Sequence, residues 1–215
     1  MNFGEVPRYT VGEIERLAIS FLREKCKPAV SIPIDIDYLI ESEPGITLDY
    51  MQRLRDRFNT AGLVWRVSEG CFIVYIDETI ANENPNFYRF TAAEELAHLK
   101  LHRKILEGIT SIELAVKLLE WDGYWELDRN AKRFAAALLM PSYLVAQDAR
   151  DKYRLIVNEV GFGDAEAIKR YVAELLSREY QVSSEAMSYR LNEWPIKIME
   201  KIDEAVREQL NFLPD

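Results

Sequence analysis

The feature that most constrains the fold is a change of periodicity along the chain. Three short segments, GITLDYM, GLVWRV and CFIVYID, are rich in β-branched and aromatic residues and are bounded by glycines, as strands are. From Phe90 onward the apolar residues recur at the spacing of amphipathic helices, up to a last helix after Pro195. A sheet followed by helices predicts an α+β fold, with a small antiparallel sheet and a helical C-terminal half.

Helical patterns also flank the predicted sheet. TVGEIERLAISFLREKC and PIDIDYLIES predict two helices before it, and QRLRDRFNT, between the first two strands, is either a short helix or a loop. After the sheet, TAAEELAHLKLHRKILEG predicts one helix that ends at Gly108, and ELDRNAKRFAAALLM predicts another that ends before Pro141. We assign residues 1–145 to one domain and residues 146–215 to a helical region that packs on it.

Charge and hydropathy exclude several classes of protein. The 215 residues include 36 acidic and 27 basic side chains, a net charge of −9, which argues against general binding to nucleic acid or an anionic membrane. The longest apolar run, Phe134 to Met140, is far too short to span a bilayer. The N-terminal residues have neither the basic start nor the apolar run of a signal peptide. A cytoplasmic protein is therefore expected.

The segment EELAHLKLH holds the residues with the most distinctive chemistry. On a helix, Glu94, His98 and His102 form one ridge, and Glu95 lies about 100° round from Glu94. The spacing is that of the zinc-protease motif H-E-x-x-H with glutamate in place of the first histidine. Two other interpretations stay open: Glu94 could complete a capping box with Thr91, or His98 and His102 could bind a metal together, as an i,i+4 pair.

Two motifs resemble the ImmA/IrrE family of zincin-like metallopeptidases. RFTAAEELAHLKLHR is similar to the family pattern R-F-T-x-A-H-E-x-x-H-x-x-x-H, and ELDRNAKRFAAALLMP is similar to E-x-x-A-x-x-F-A-A-x-L-L-M-P. The later segment VSSEAMSYRL also resembles the family's downstream helices. The resemblance covers about residues 10 to 195 and implies a zincin-like fold, with the small sheet packed on an active-site helix.

The same resemblance implies a metal site in altered form. It assigns Glu94, His98 and Asp128 as ligands and Glu95 as the general base. Zinc is the metal of the family, whereas a set with two carboxylates and one histidine is also compatible with Mn²⁺ or Fe²⁺. The two ligand substitutions are equally compatible with a site that holds no metal. Asp128 has a further interpretation as the ion-pair partner of a nearby basic residue, Arg129, Lys132 or Arg133.

The resemblance further implies a protein partner, because family members act on helix-turn-helix repressors or antitoxins. Two functions follow as hypotheses: a metallopeptidase that cleaves such a regulator, or a pseudoprotease that binds it without cleavage. Trp121, Tyr124 and Trp125 line a substrate groove or pack in the core. No direct DNA binding is expected, since residues 151–195 contain eight acidic and six basic side chains.

Overall fold

The computed structural model describes residues 3–161 and 164–210 and divides into two compact units, Met1–Leu139 and Met140–Asp215. The first unit contains the sheet and all of the predicted site residues. Its elements are α1 Val11–Lys25, α2 Ile36–Glu41, β1 Ile46–Met51, α3 Leu54–Phe58, β2 Gly62–Ser68, β3 Cys71–Asp77, α4 Glu78–Glu83, α5 Pro85–Leu101, α6 Arg103–Leu106, α7 Ile112–Leu119 and α8 Tyr124–Leu139. The α+β fold class is confirmed.

The sheet has three strands in the order β1-β3-β2, and its pairing is mixed. β2 and β3 are antiparallel, joined by a tight turn at Gly70, whose φ of 72° suits glycine. The expectation of a purely antiparallel sheet is corrected for β1, which runs parallel to β3. Because α3 separates β1 from β2, these two strands form no hairpin, and β3 inserts between them.

Helix α5 starts earlier and ends earlier than the sequence pattern predicts. Asn84 caps it by accepting a hydrogen bond from the N–H of Phe87 at 3.2 Å, and Pro85 occupies the first turn, where proline is favoured. The helix ends at Leu101, and His102 leaves it with a φ of −124° before α6 begins. The predicted continuous helix to Gly108 is therefore broken at His102.

The core of the first unit forms where α5 packs on the sheet and on α8. One face of β3 is almost fully buried, through Phe72, Val74 and Ile76. Helices α5 and α8 pack on each other, and both contain alanines that are completely buried: Ala93, Ala97, Ala131 and Ala135. This contact brings the polar residues of α5 and the start of α8 towards the same region.

The second unit consists of α9 Ser142–Val160, α10 Ala165–Tyr180, α11 Ser184–Asn192 and α12 Ile198–Leu210. The buried Tyr180 donates a hydrogen bond to Asp148 at 2.6 Å, and Arg190 donates one to the carbonyl of Met140 at 2.9 Å. Residues 162, 163 and 211–215 of the predicted C-terminal region lie outside the described residues. The predicted boundary at residue 145 stays a prediction, since the compact units divide after Leu139.

Within the described part of the chain, no helix is both long enough and apolar enough to cross a membrane.

Asp77 connects three elements, and its removal should be costly. Its carboxylate accepts hydrogen bonds from the N–H groups of Thr79 and Ile80 at 3.0 and 3.2 Å and from that of Arg55 at 2.9 Å. Since Asp77 is buried, Asp77→Ala leaves these donors without a partner, and we expect a loss of about 2–4 kcal/mol in the free energy of unfolding, measured with urea. Asp35→Ala, which removes one exposed cap, should cost only about 1 kcal/mol. Equal losses in the two variants would contradict this account.

Candidate functional site

The candidate site lies where α5 passes between β2 and α8. Glu95 is 7% exposed and its carboxyl lies directly beside Gly62 of β2. A Cβ at position 62 would lie 2.6 Å from Oε1 of Glu95 and 2.9 Å from the Cγ2 of Thr91. Glycine at this position therefore lets the strand backbone approach the carboxyl, and any larger side chain would push one of them away.

A small cavity adjoins Glu95, His98 and Tyr124. Its volume is about 20 Å³, which is enough for one water molecule but not for a peptide. The ring of Tyr124 lies nearly parallel to that of His98, with ring centroids 5.9 Å apart and an interplanar angle of 18°. The other lining residues are Gly62, Leu63 and Val64 of β2 and apolar residues of α6 and α7, namely Leu106, Ala115, Leu118 and Leu119.

The two histidines contact each other. Nδ1 of His98 lies 3.2 Å from Nδ1 of His102, a hydrogen-bonding distance at which one ring donates and the other accepts. Burial lowers the pKa of His98 to about 4, helped by the charge of Lys132, and lowers that of His102 to about 3, helped by His98. Both imidazoles are therefore neutral near pH 7. His102, at the C-terminal end of α5, holds the ring of His98 through this hydrogen bond.

The two glutamates of the motif are also mainly buried. Burial raises the pKa of Glu94 to about 7; the charge of Lys132 opposes this increase and that of Asp128 adds to it. Burial raises the pKa of Glu95 well above its ordinary value, and the charges of Glu94 and Asp128 raise it further. Both effects favour the neutral form of Glu95, whereas a general base acts in its ionised form.

The capping interpretation of Glu94 is wrong. The helix begins at Pro85, so Thr91 and Glu94 lie well inside it, where no N-terminal backbone N–H group is free to be capped. Thr91 is 2% exposed, and its hydroxyl has no hydrogen-bond partner among the described residues. Asparagine followed by proline at 84 and 85 was the sequence signal for the true start of the helix.

Asp128 forms an ion pair with Lys132. The Nζ of Lys132 lies 2.7 Å from Oδ2 of Asp128, and the two residues are one turn apart on α8. This is one of the three partners that the sequence left open for Asp128. Lys132 itself was not among the predicted site residues, although its spacing of four from Asp128 was visible in the sequence.

The residues as arranged do not fit a zinc ion. Among the described residues, no group of three or more His, Cys, Asp or Glu side chains is placed so that it could hold a metal. The predicted ligands lie on two helices, Glu94 and His98 on α5 and Asp128 on α8, and the last is bound to an ammonium group. The shifted pair of His98 and His102 also has no third ligand among these residues. The assignment of Glu94, His98 and Asp128 as ligands stays a prediction.

Only one of the three predicted groove aromatics reaches this cavity. Tyr124 lines it beside His98, whereas Trp121 packs edge-on against Phe3 with ring centroids 5.7 Å apart. Trp125 is 60% exposed and carries the guanidinium of Arg129 over its ring at 4.7 Å. The residues of α7 that close the cavity had no functional signal in the sequence, because their spacing is that of any amphipathic helix.

Glu94→Gln should change stability in a pH-dependent way. Because the folded-state pKa of Glu94 is raised from 4.5 to about 7, its contribution to stability is complete below about pH 4.5 and is lost as the pH rises through 7. Glutamine is not subject to this loss. We compare the free energy of unfolding of Glu94→Gln with that of the native chain, measured by urea unfolding. We expect this difference to favour the variant by about 1–3 kcal/mol more at pH 8 than at pH 4.5. Glu83→Gln, an exposed change on α4, should show no such difference; a pH-independent effect of Glu94→Gln would contradict the prediction.

Comparison with known families agrees with the resemblance in the sequence. The model of the peptidase family described as the IrrE N-terminal-like domain matches residues 80–192, which is more than half of the chain and includes α5, α8 and α11. No curated protein matches the chain significantly. The family is one of typically zinc-dependent metallopeptidases. The chain therefore belongs to the IrrE N-terminal-like, or ImmA/IrrE, family of metallopeptidase-like proteins.

Proposed function

We propose that this protein acts by binding a regulatory protein, a helix-turn-helix repressor or antitoxin, without cleaving it. The observation that carries the proposal is the state of the predicted metal ligands. Asp128 is paired with Lys132, and no group of three suitable donors occurs among the described residues. A peptidase of this family needs three protein ligands to hold zinc and to leave a position for water.

Access to the site supports the same function. Leu118 and Leu119 of α7, together with Leu106, line the cavity beside Glu95 and His98. The cavity beside them, of about 20 Å³, has room for one water molecule and is too small for a polypeptide segment as the side chains stand. A bound partner would therefore contact the outside of this unit, and its peptide bonds would not reach Glu95.

The protonation of the site is a third argument. A base that activates water must be ionised, and burial raises the pKa of the Glu95 carboxyl well above its ordinary value, which disfavours that role. Burial also raises the pKa of Glu94 to about 7 and keeps both histidines neutral, so the buried cluster carries less charge than the same groups would in water. In this protonation state, the buried side chains stabilise the fold more than they favour hydrolysis.

The class of partner rests on family membership. Family members act on helix-turn-helix repressors or antitoxins, often encoded beside them, and the match over residues 80–192 extends this expectation to the chain. A cytoplasmic location belongs to the same proposal, because such regulators work where the DNA is.

The test is binding compared with cleavage. The purified chain would be mixed with the helix-turn-helix regulator encoded next to its own gene, with and without added zinc. We expect a stable complex by isothermal titration calorimetry and a regulator of unchanged mass by mass spectrometry. A shortened regulator would overturn the proposal. A regulator that neither binds nor shortens would contradict the assigned partner.

Hydrolysis is the second candidate function, and one observation favours it. Glu95, His98 and Tyr124 line one cavity with room for a single water molecule, as a hydrolytic site requires. If the native chain cleaves its regulator, Glu95→Gln should abolish the cleavage because the amide cannot accept a proton. Glu83→Gln, an exposed change, should leave cleavage intact. Cleavage retained in Glu95→Gln would exclude Glu95 as the base.

A further inference from the structure

We propose that α7, with the turn that precedes it, is a lid over the cavity beside Glu95 and His98, and that Phe3 holds this lid closed. The proposal concerns access to the interior of the first unit. It therefore goes beyond the proposed function and holds whichever regulator the protein binds. Three sets of contacts carry it: those at the cavity, those at the edge of the sheet and those at the C-terminal end of α7.

The apolar side of α7 lines the cavity. Ala115 and Leu118 are buried, and with Leu119 they line the same small cavity as Glu95 and His98 of α5. Both polar residues are buried as well. Helix α7 thus contributes to their burial, and its displacement would open the cavity towards solvent.

The turn before α7 covers the outer edge of β2. This strand lies at the edge of the sheet, and Ala61, just before it, directs its carbonyl to the N–H of Asp77 in β3 at 2.9 Å. Since the direction of backbone groups alternates along a strand, Arg66 directs its N–H away from β3, and that N–H donates to the carbonyl of Ile109 at 2.7 Å. Ile109 is completely buried. A strand edge needs a cover or a partner, and here the lid provides the cover.

Few directional contacts hold α7 itself in place. Its cap comes from the same segment, because the N–H of Leu114 donates to the hydroxyl of Ser111. From residue 112 to residue 119, in a fully described part of the chain, no hydrogen bond or ion pair reaches another helix or strand. An element that is held mainly by apolar contacts opens at a lower free energy than the core of its domain does.

Phe3 contacts the turn at the C-terminal end of the lid. The indole of Trp121 packs on the backbone of this turn, since a Cβ at Gly123 would lie 2.5 Å from Cη2 of the indole. The ring of Phe3 meets the indole edge-on, with ring centroids 5.7 Å apart and an interplanar angle of 64°, a favourable geometry for an aromatic pair. The segment that carries Phe3 is anchored on α5, where Tyr9 donates a hydrogen bond to the carbonyl of Leu101 at 2.9 Å. Phe3 therefore connects the lid to the core.

The two histidines of the chain report on the lid. Both are buried, but only His98 lines the cavity, so opening of the lid should expose His98 in preference to His102. Diethyl pyrocarbonate modifies accessible imidazoles, and tryptic cleavage at Lys100 separates the two histidines for mass spectrometry. We expect Phe3→Ala to raise the modification rate of His98 about three- to tenfold, because the aromatic contact that holds the lid closed is lost. The rate at His102 should change less than twofold.

The matched control is Phe87→Ala. Phe87 is partly exposed at the start of α5, where the guanidinium of Arg55 lies over its ring at 6.0 Å. Its loss should leave the rate at His98 within about twofold of the native rate. An equal gain in the control, or an equal gain at His102 in Phe3→Ala, would indicate general loosening and would overturn the proposal. An unchanged rate at His98 in Phe3→Ala, with the fold intact by circular dichroism, would also overturn it.

Hydrogen exchange of the native chain tests the lid without a substitution. The amides of α7 and of Arg66 should exchange together, at least tenfold faster than those of α5, since the Arg66 N–H is bonded to the lid. Exchange of α7 at the rate of α5 would mean that α7 opens only with the whole unit, which excludes a lid. These measurements use the chain alone, whereas the proposed function fails by cleavage of the regulator, so the two failures are distinguishable.

Discussion

The close approach of β2 to α5 at Gly62 is the constraint on which the site depends. It places the Glu95 carboxyl against a strand backbone and leaves little room for water around the polar residues of α5. Desolvation then acts in opposite directions on the two kinds of group, raising the pKa values of the carboxyls and lowering those of the imidazoles. The result is a polar cluster that is almost uncharged, with its remaining charges at the edge, on Asp128 and Lys132.

Much of the fold could be predicted from the sequence, and the errors have specific causes. The three strands occur within two residues of their predicted limits, because glycines bound them and because their β-branched residues match a half-buried sheet. The parallel pairing of β1 and β3 could not be predicted, since strand order depends on where α3 directs the chain. The break at His102 has no glycine or proline to signal it.

The candidate site was less predictable than the fold. Motif spacing located Glu95 and His98 correctly on one buried part of α5, because helical periodicity determines which residues share a face. It did not single out Lys132 among the three basic residues near Asp128, because spacing alone does not decide which of them forms the ion pair. Nor did it predict that α7 lines the cavity, because contacts between elements distant in sequence are decided by packing.

The hydrogen bond between His98 and His102 couples the tautomers of the two rings. If Nδ1 of His98 carries the hydrogen, its Nε2 is a free acceptor, but the Nε2–H of His102 is then buried without a partner among the described residues. If Nδ1 of His102 carries the hydrogen, the buried Nε2 of His102 is unprotonated, and Nε2 of His98 carries a hydrogen and is a donor. The protonation of the buried Nε2 of His102 is thus linked to that of Nε2 of His98. It determines whether Nε2 of His98 presents a lone pair or an N–H group to a neighbouring group.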